Sequence, residues 1–388
     1  MRIPAGPFWA TLPLATLGSF FLFSSLRQTP LPPEPGSASP GPSEKRAAFL
    51  DEEVVVRLEE KEPAMAIRSG VEWLIRHQFV DGMWSAASYT QMCPRKICEG
   101  AGRDRHDGAV TALALWCLLD SGLAGETAVW EAAREALSWL KKNQEEEKTP
   151  SMYGRAISTI AFCRAFDVLG DPYAKSFARD AIRWLEGAQN SNGGWGYRPR
   201  DGRSDSSVTA WVSRAFLFAE SIDIEVSPRA GSGALEWFDS MTGARYYQVS
   251  YRDRGRGGSS LRNRNDHFES NGTLTALATA IRMKRGFDRE DPRIREAVRA
   301  LSWNFPVWNR SRTTVDFTYW HGGTIAMDLA GEELRPAWMN RIRRLLGRYQ
   351  EVRGCRAGSW NPVDKWGCEG GRIYATALNV LTLSRATQ

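Results

Sequence analysis

Histidine is scarce in this chain, with four in 388 residues. No glycine-rich phosphate loop is present, and no Ser-His-Asp arrangement or other nucleophile motif stands out. Phosphoryl transfer and triad hydrolysis are thus left without their usual residues. A strong excess of one charge is missing as well. The 51 Lys and Arg stand against 45 Asp and Glu, a net charge of +6. Part of that excess is local, in Arg252, Arg254, Arg256, Arg262 and Arg264. A basic run among Gly and Ser reads as a solvated loop. No nucleic-acid motif accompanies it, so no nucleic-acid partner is expected.

Tryptophan, by contrast, is plentiful, with 16 residues, and its placement repeats. Trp73-Leu74 is followed by Gln78, Trp139-Leu140 by Gln144, and Trp184-Leu185 by Gln189. Leu345-Leu346 keeps the same offset to Gln350, while Trp237 and Trp303 mark two copies without the Gln. A threonine follows each copy: Thr111, Thr159, Thr209, Thr275, Thr324 and Thr376, spaced by 48, 50, 66, 49 and 52 residues. A period near fifty, used six times, implies one two-helix unit repeated along the chain.

The first helix of each unit is amphipathic. Ala181, Ile182, Trp184, Leu185 and Ala188 recur at helical spacing, with Arg179, Asp180, Arg183 and Glu186 facing water. The second is apolar nearly all round, as in Val110 to Trp116, and so is buried. The pattern predicts outer helices at 64–78, 130–143, 172–189, 229–241, 291–304 and 334–350. Inner helices are expected at 107–120, 153–169, 205–220, 270–285, 318–330 and 370–386. The last inner run is as apolar as the middle ones, which favours a closed ring over an open solenoid with polar caps. The expected fold is all-α: an (α/α)6 toroid over residues 47–388, with a leading helix at 47–62 and a hollow middle.

The N-terminus stands apart. Pro7 to Leu26 is 20 residues without a charge, flanked by Arg2 and Arg27, long enough to cross a bilayer. Small residues are poorly placed for signal cleavage, so residues 1–26 read as an uncleaved membrane anchor, with a removed signal as the alternative. Residues 27–46 are a Pro/Ser/Gly-rich tether. The protein is therefore expected on the exported side of a membrane. Six cysteines suit that compartment. Cys93 and Cys98 share one loop, Cys355 and Cys368 another, and these four are expected to form disulfides, within each loop or between the two. Cys117 and Cys163 read as buried thiols. A zinc site using Cys93, Cys98 and His106, with Cys355 or Cys368, is the alternative. Disulfides account for the cysteines more simply, so neither metal nor cofactor is expected.

The loops after the outer helices carry a pattern. Gln78-Phe-Val-Asp-Gly82-Met-Trp84 reads Q-x-x-x-G-x-W, Gln189 to Gly193 and Trp195 repeats it, and Gln350 reaches Gly358-Ser-Trp360 after a four-residue insertion. These resemble the QW motifs of the prenyltransferase and squalene cyclase repeat superfamily, over about residues 64–386. The motif suggests a local role: Gln capping its helix, Gly allowing positive φ, and Trp stacking on the next unit. The resemblance implies an isoprenoid cyclase or transferase. The acidic D-x-D-D motif of such cyclases is not matched. Asp205-Ser-Ser-Val supplies one carboxylate, and Asp288-Arg-Glu-Asp291 sits in a connector. Asp316-Phe-Thr-Tyr319 is similar to the zinc-binding Asp-x-Cys-Tyr stretch of protein prenyltransferases, with Thr318 at the cysteine position.

Parallel inner helices gather their N-termini at one end of a ring, where backbone N–H groups favour polar ligands. Asp205, Asp316 and His321 are the candidate catalytic residues there. Asp107, Tyr153, Arg155, Asn271, Tyr319, Trp320, Glu369 and Arg372 are candidate ligand contacts. Asp107, Asp205 and Asn271 also fit plain helix N-caps. The expected ligand is an apolar, isoprenoid-like or extended molecule in the central cavity. Two alternatives are an active isoprenoid enzyme with unrecognised acids and a cell-envelope scaffold whose centre is filled.

Overall fold

The computed structural model describes residues 61–388, apart from 94, 96, 147–150, 245–246, 253–271, 310, 313 and 332. The anchor at 1–26, the tether at 27–46, nearly all of the leading helix and Asn271 lie outside the described residues. Among those described, no helix is long and apolar enough to cross a membrane.

Twelve α-helices carry the fold in the described residues. The outer ones are α1 (Pro63–Arg76), α3 (Thr127–Glu146), α5 (Pro172–Gly187), α7 (Pro228–Met241), α9 (Pro292–Ser302) and α11 (Arg335–Arg348). The inner ones are α2 (Asp107–Asp120), α4 (Met152–Leu169), α6 (Ser206–Glu220), α8 (Gly272–Lys284), α10 (Phe317–Ala330) and α12 (Gly367–Thr387). Five outer helices have proline in the first turn: Pro63, Pro172, Pro228, Pro292 and Pro336. Proline there gives up an N–H that has no helical acceptor and presets φ.

Burial follows the two patterns. Along α5 only one face is covered, by Ala174, Ala178, Ala181, Ile182 and Leu185. In α2 every residue from Val110 to Leu119 is buried, and in α8 every one from Thr273 to Arg282. Each inner helix packs on the next, and α12 packs back on α2, so the inner wall closes. Outside it, α1 meets α11.

The tryptophan and threonine echoes are two halves of one hydrogen-bonded unit. The backbone N–H of Trp84, Trp195 and Trp360 donates to Thr111, Thr209 and Thr376 Oγ1 at 2.9, 3.0 and 3.3 Å. Val249 and Thr275 repeat the bond at 3.0 Å. The three indoles donate back to Leu74, Leu185 and Leu346 carbonyls at 2.7, 2.7 and 2.9 Å. The glutamines bridge neighbouring units instead of capping their own helices. Gln78 Nε2 donates to Gly82 O in its own loop and to Ala132 O in the next outer helix, both at 2.9 Å. Gln189 makes the same pair with Gly193 and Ala230. Gln350 bonds Gly358 O at 2.8 Å and Ala66 O at 2.7 Å, so the last unit holds the first as the first and third units hold their successors.

The loop glycines are required twice over. Gly82, Gly193 and Gly358 have φ of 96°, 84° and 99°. A Cβ on them would fall 2.3, 2.3 and 2.1 Å from the backbone oxygens of Glu135, Gly233 and Ser69 on the neighbouring outer helix.

Candidate functional site

The N-terminal ends of the inner helices carry two carboxylate clusters. In the first, Asp205 caps α6: its Oδ1 accepts from Val208 N at 2.8 Å and Ser207 Oγ at 2.6 Å. Tyr251 OH donates to Oδ2 at 3.3 Å, and the Arg252 guanidinium lies 3.6 Å away. Tyr197 and Tyr251 share a hydroxyl contact of 2.9 Å, and Tyr153 OH donates to Ser207 Oγ at 2.5 Å. The Tyr153 and Tyr197 rings sit 5.7 Å apart. Asp205 is fully buried, and burial raises its pKa against those donors.

The second cluster joins α8, α10 and α12. Asp316 caps α10 through Tyr319 N at 2.9 Å; its other oxygen accepts from Thr273 at 2.9 Å and pairs with Lys365 at 3.1 Å. Asp364 is buried beside it. Its Oδ2 accepts from Tyr374 OH at 2.9 Å and faces Phe317 N at 3.4 Å. Its Oδ1 has no partner among the described residues. Burial, then the Asp316 charge, pushes the Asp364 pKa to about 7. A carboxyl titrating near neutrality has the acidity a general acid or base needs. Asp364 lies in a loop without a motif, and nothing in the sequence singled it out.

The remaining candidates are spread around the ring. Asp107 accepts from Ala86 N at 2.8 Å. Glu369 forms an ion cluster with Arg105 at 2.5 Å, His106 at 2.9 Å and Arg103 at 3.4 Å. Arg372 is buried and donates to Glu99 O at 2.7 Å, Ser359 Oγ at 3.0 Å and Asn361 Oδ1 at 2.5 Å. Arg155 lies over the Trp184 ring of an outer helix. Tyr319 donates to Asn304 O at 2.6 Å, and Trp320 packs on Phe317 and Trp308 in the core. The structure thus brings together Asp205 with Tyr153, and Asp316 with Tyr319 N.

His321 sits elsewhere, on the ring axis. Arg214 Nη2 donates to its Nε2 at 2.8 Å, and Nδ1 meets Thr382 Oγ1 at 3.3 Å. Trp116 stands edge-on to it with centroids 5.8 Å apart. The Arg214 guanidinium also lies 5.0 Å from the Trp116 ring centre and 4.6 Å from that of Trp211. Trp116, Arg214 and His321 belong to the first, third and fifth inner helices. Side chains from alternate helices of a ring touch only across its middle, so the expected hollow is occupied at this level. Burial, then Arg214, holds the His321 pKa well below the usual value, so the ring is neutral.

None of the expected disulfides is present in the structure, where all six cysteines are free. Cys93, Cys98 and Cys355 gather near His77, while Cys368 is exposed and donates to Lys365 O. His106, expected to join the cysteines in the alternative zinc set, is paired with Glu369.

The family description "Squalene-hopene cyclase C-terminal domain" matches residues 53–230. A probable squalene–hopene cyclase from Sinorhizobium fredii is 29% identical over 184 residues, 42% of this chain; the match spans 28% of that protein. A type II terpene cyclase from Scytonema has a TM-score of 0.54 at 16% identity, covering 84% of this chain and 97% of that one. An α-1,6-mannanase from Salegentibacter reaches 0.60 at 10% identity, covering 84% and 99%. A cellobiose 2-epimerase from Bacillus thermoamylovorans reaches 0.57 at 10%, covering 83% and 98%. Solved structures this distant share the fold with the chain and nothing finer. The closed inner wall is that of an α/α toroid, and over residues 53–230 the chain is similar to the squalene-hopene cyclase C-terminal domain.

Proposed function

We propose that the ring binds an apolar, isoprenoid-like or extended ligand at the mouth formed by the inner-helix N-termini, held on the exported side of a membrane by residues 1–26. The observation that carries this reading is the tyrosine wall of Tyr153, Tyr197 and Tyr251 around the buried Asp205. Aromatic faces take an apolar body, and the hydroxyls orient a polar end. The knot of Trp116, Arg214 and His321 limits how far such a ligand enters. Mass spectrometry of lipids copurifying with the detergent-extracted full chain tests this. A stoichiometric polyprenoid, reduced in Tyr197→Ala, is expected. A lipid-free protein that also fails to bind added polyprenol contradicts it.

A second reading, catalysis on the same ligand, is favoured by Asp364. Its unpartnered oxygen and its pKa near 7 fit a general acid or base, with Asp316 as the charged companion. Asp364→Asn and Asp205→Asn then separate the two candidate acids. Turnover of a polyprenoid is lost in the variant that removes the true acid, while binding is kept. Unchanged turnover in both removes the catalytic assignment.

A further inference from the structure

The four side chains His77, Cys93, Cys98 and Cys355 converge where the first and last units meet. Cys98 Sγ lies 3.0 Å from Cys355 Sγ and 3.5 Å from His77 Nε2. The ligand atoms of His77, Cys93 and Cys98 all fall within 4.8 Å of one another. His77, Cys93 and Cys98 are buried.

We infer that these residues form a Cys3His site for a tetrahedral thiophilic divalent ion, zinc by ligand chemistry, that clips the ring shut. Three observations support it. The set is complete for a structural site, three sulfurs and one imidazole with no fifth position needed. The imidazole is already aimed: Nδ1 donates to Trp73 O at 2.8 Å, which fixes the tautomer and leaves the Nε2 lone pair facing the sulfurs. Trp73 stacks on the His77 ring at 4.2 Å and donates through Nε1 to Cys355 O at 3.0 Å, so one side chain positions two of the ligands.

A disulfide explains less. Its sulfurs would stand about 2.05 Å apart, and pairing Cys98 with Cys355 would leave Cys93 and an oriented imidazole without a purpose. Sulfurs bound to one tetrahedral zinc stand about 3.8 Å apart, and Cys98 and Cys355 would have to part from 3.0 Å to that spacing. The balance of the binding step is simple. Three thiols release three protons to solvent, the imidazole enters neutral, and nothing is oxidised or reduced. The resulting site carries one net negative charge. The Arg372 guanidinium, bonded to the carbonyl of Glu99 next to Cys98, is at hand to offset it.

The ligands come from the loop after α1 and the loop after α11, with Cys98 and Cys355 257 positions apart in the chain. An ion here closes a very long loop, where a cross-link restricts the unfolded chain most. It acts beside Gln350, which already ties α1 to the last unit.

The test is metal analysis of the full chain, purified under reducing conditions without chelator. One ion per chain is expected, as is a thiolate-to-metal charge-transfer band with tetrahedral d–d absorption after cobalt exchange. Cys355→Ser and His77→Ala should lose the ion, and Cys368→Ser should keep it. If Cys355→Ser fails to fold, chelator competition on the wild-type chain decides: release of the ion must expose three further reactive thiols. A metal-free chain after incubation with zinc, or a Cys98–Cys355 disulfide in the peptide map of unreduced protein, overturns the assignment.

Discussion

At the scale of single residues, charge burial sets the testable behaviour. Asp364 has a folded pKa near 7 against an ordinary value near 4. Below pH 4 both states are protonated. Between pH 4 and 7 the unfolded carboxyl loses its proton while the folded one keeps it, so stability falls as pH rises through that window. Asp364→Asn mimics the protonated acid. It should be near neutral at pH 4, gain on the order of 1–4 kcal/mol at pH 8, and flatten the pH profile of thermal melting. Arg214 shows the opposite chemistry. Burial alone lowers its pKa to about 9, with no carboxylate to offset it. Arg214→Met keeps the volume and removes the buried charge, so its melting temperature at pH 7 should equal or exceed that of the wild type. A loss of more than about 3 kcal/mol would mean that the cation-aromatic knot is a net stabiliser.

At the scale of the element, the repeat itself was legible. The expected helices match the observed ones to within a few residues because each rule is local: apolar period, proline in the first turn, carboxylate cap. The QW loops were legible too, but the Gln role was not: Gln bonds its loop and a helix some forty or more residues away, and does not cap its own helix. Gln189→Ala should cost about 1–3 kcal/mol, because two part-buried carbonyls lose a donor. Gly193→Ala should cost more, as the new Cβ meets backbone rather than a movable side chain. Urea denaturation of both variants checks the order, and a milder Gly193→Ala contradicts it. What sequence could not supply are groups assembled by closure. His77 ends an ordinary amphipathic helix, Cys355 waits in another unit, Asp364 has no motif, and Arg214 interrupts a run that reads as plain core. Each gains its meaning from a partner that no local pattern places.

At the scale of the whole molecule, the account stands on closure. An open array of the same units would leave α1 and α12 each covered on one side, and terminal units without polar caps would fray. Closure gives every unit two neighbours, and Gln350, Gly358 and Trp360 make at the seam the contacts that Gln189, Gly193 and Trp195 make inside the ring. The mouth, the axial knot and the proposed metal clip all require it. Native-state hydrogen exchange of the full chain reads this most directly. Amides of α1 and α12 should open with the same free energy as those of α5 and α6. Fast exchange confined to α1 and α12, with protection only in the middle units, would contradict the closed ring.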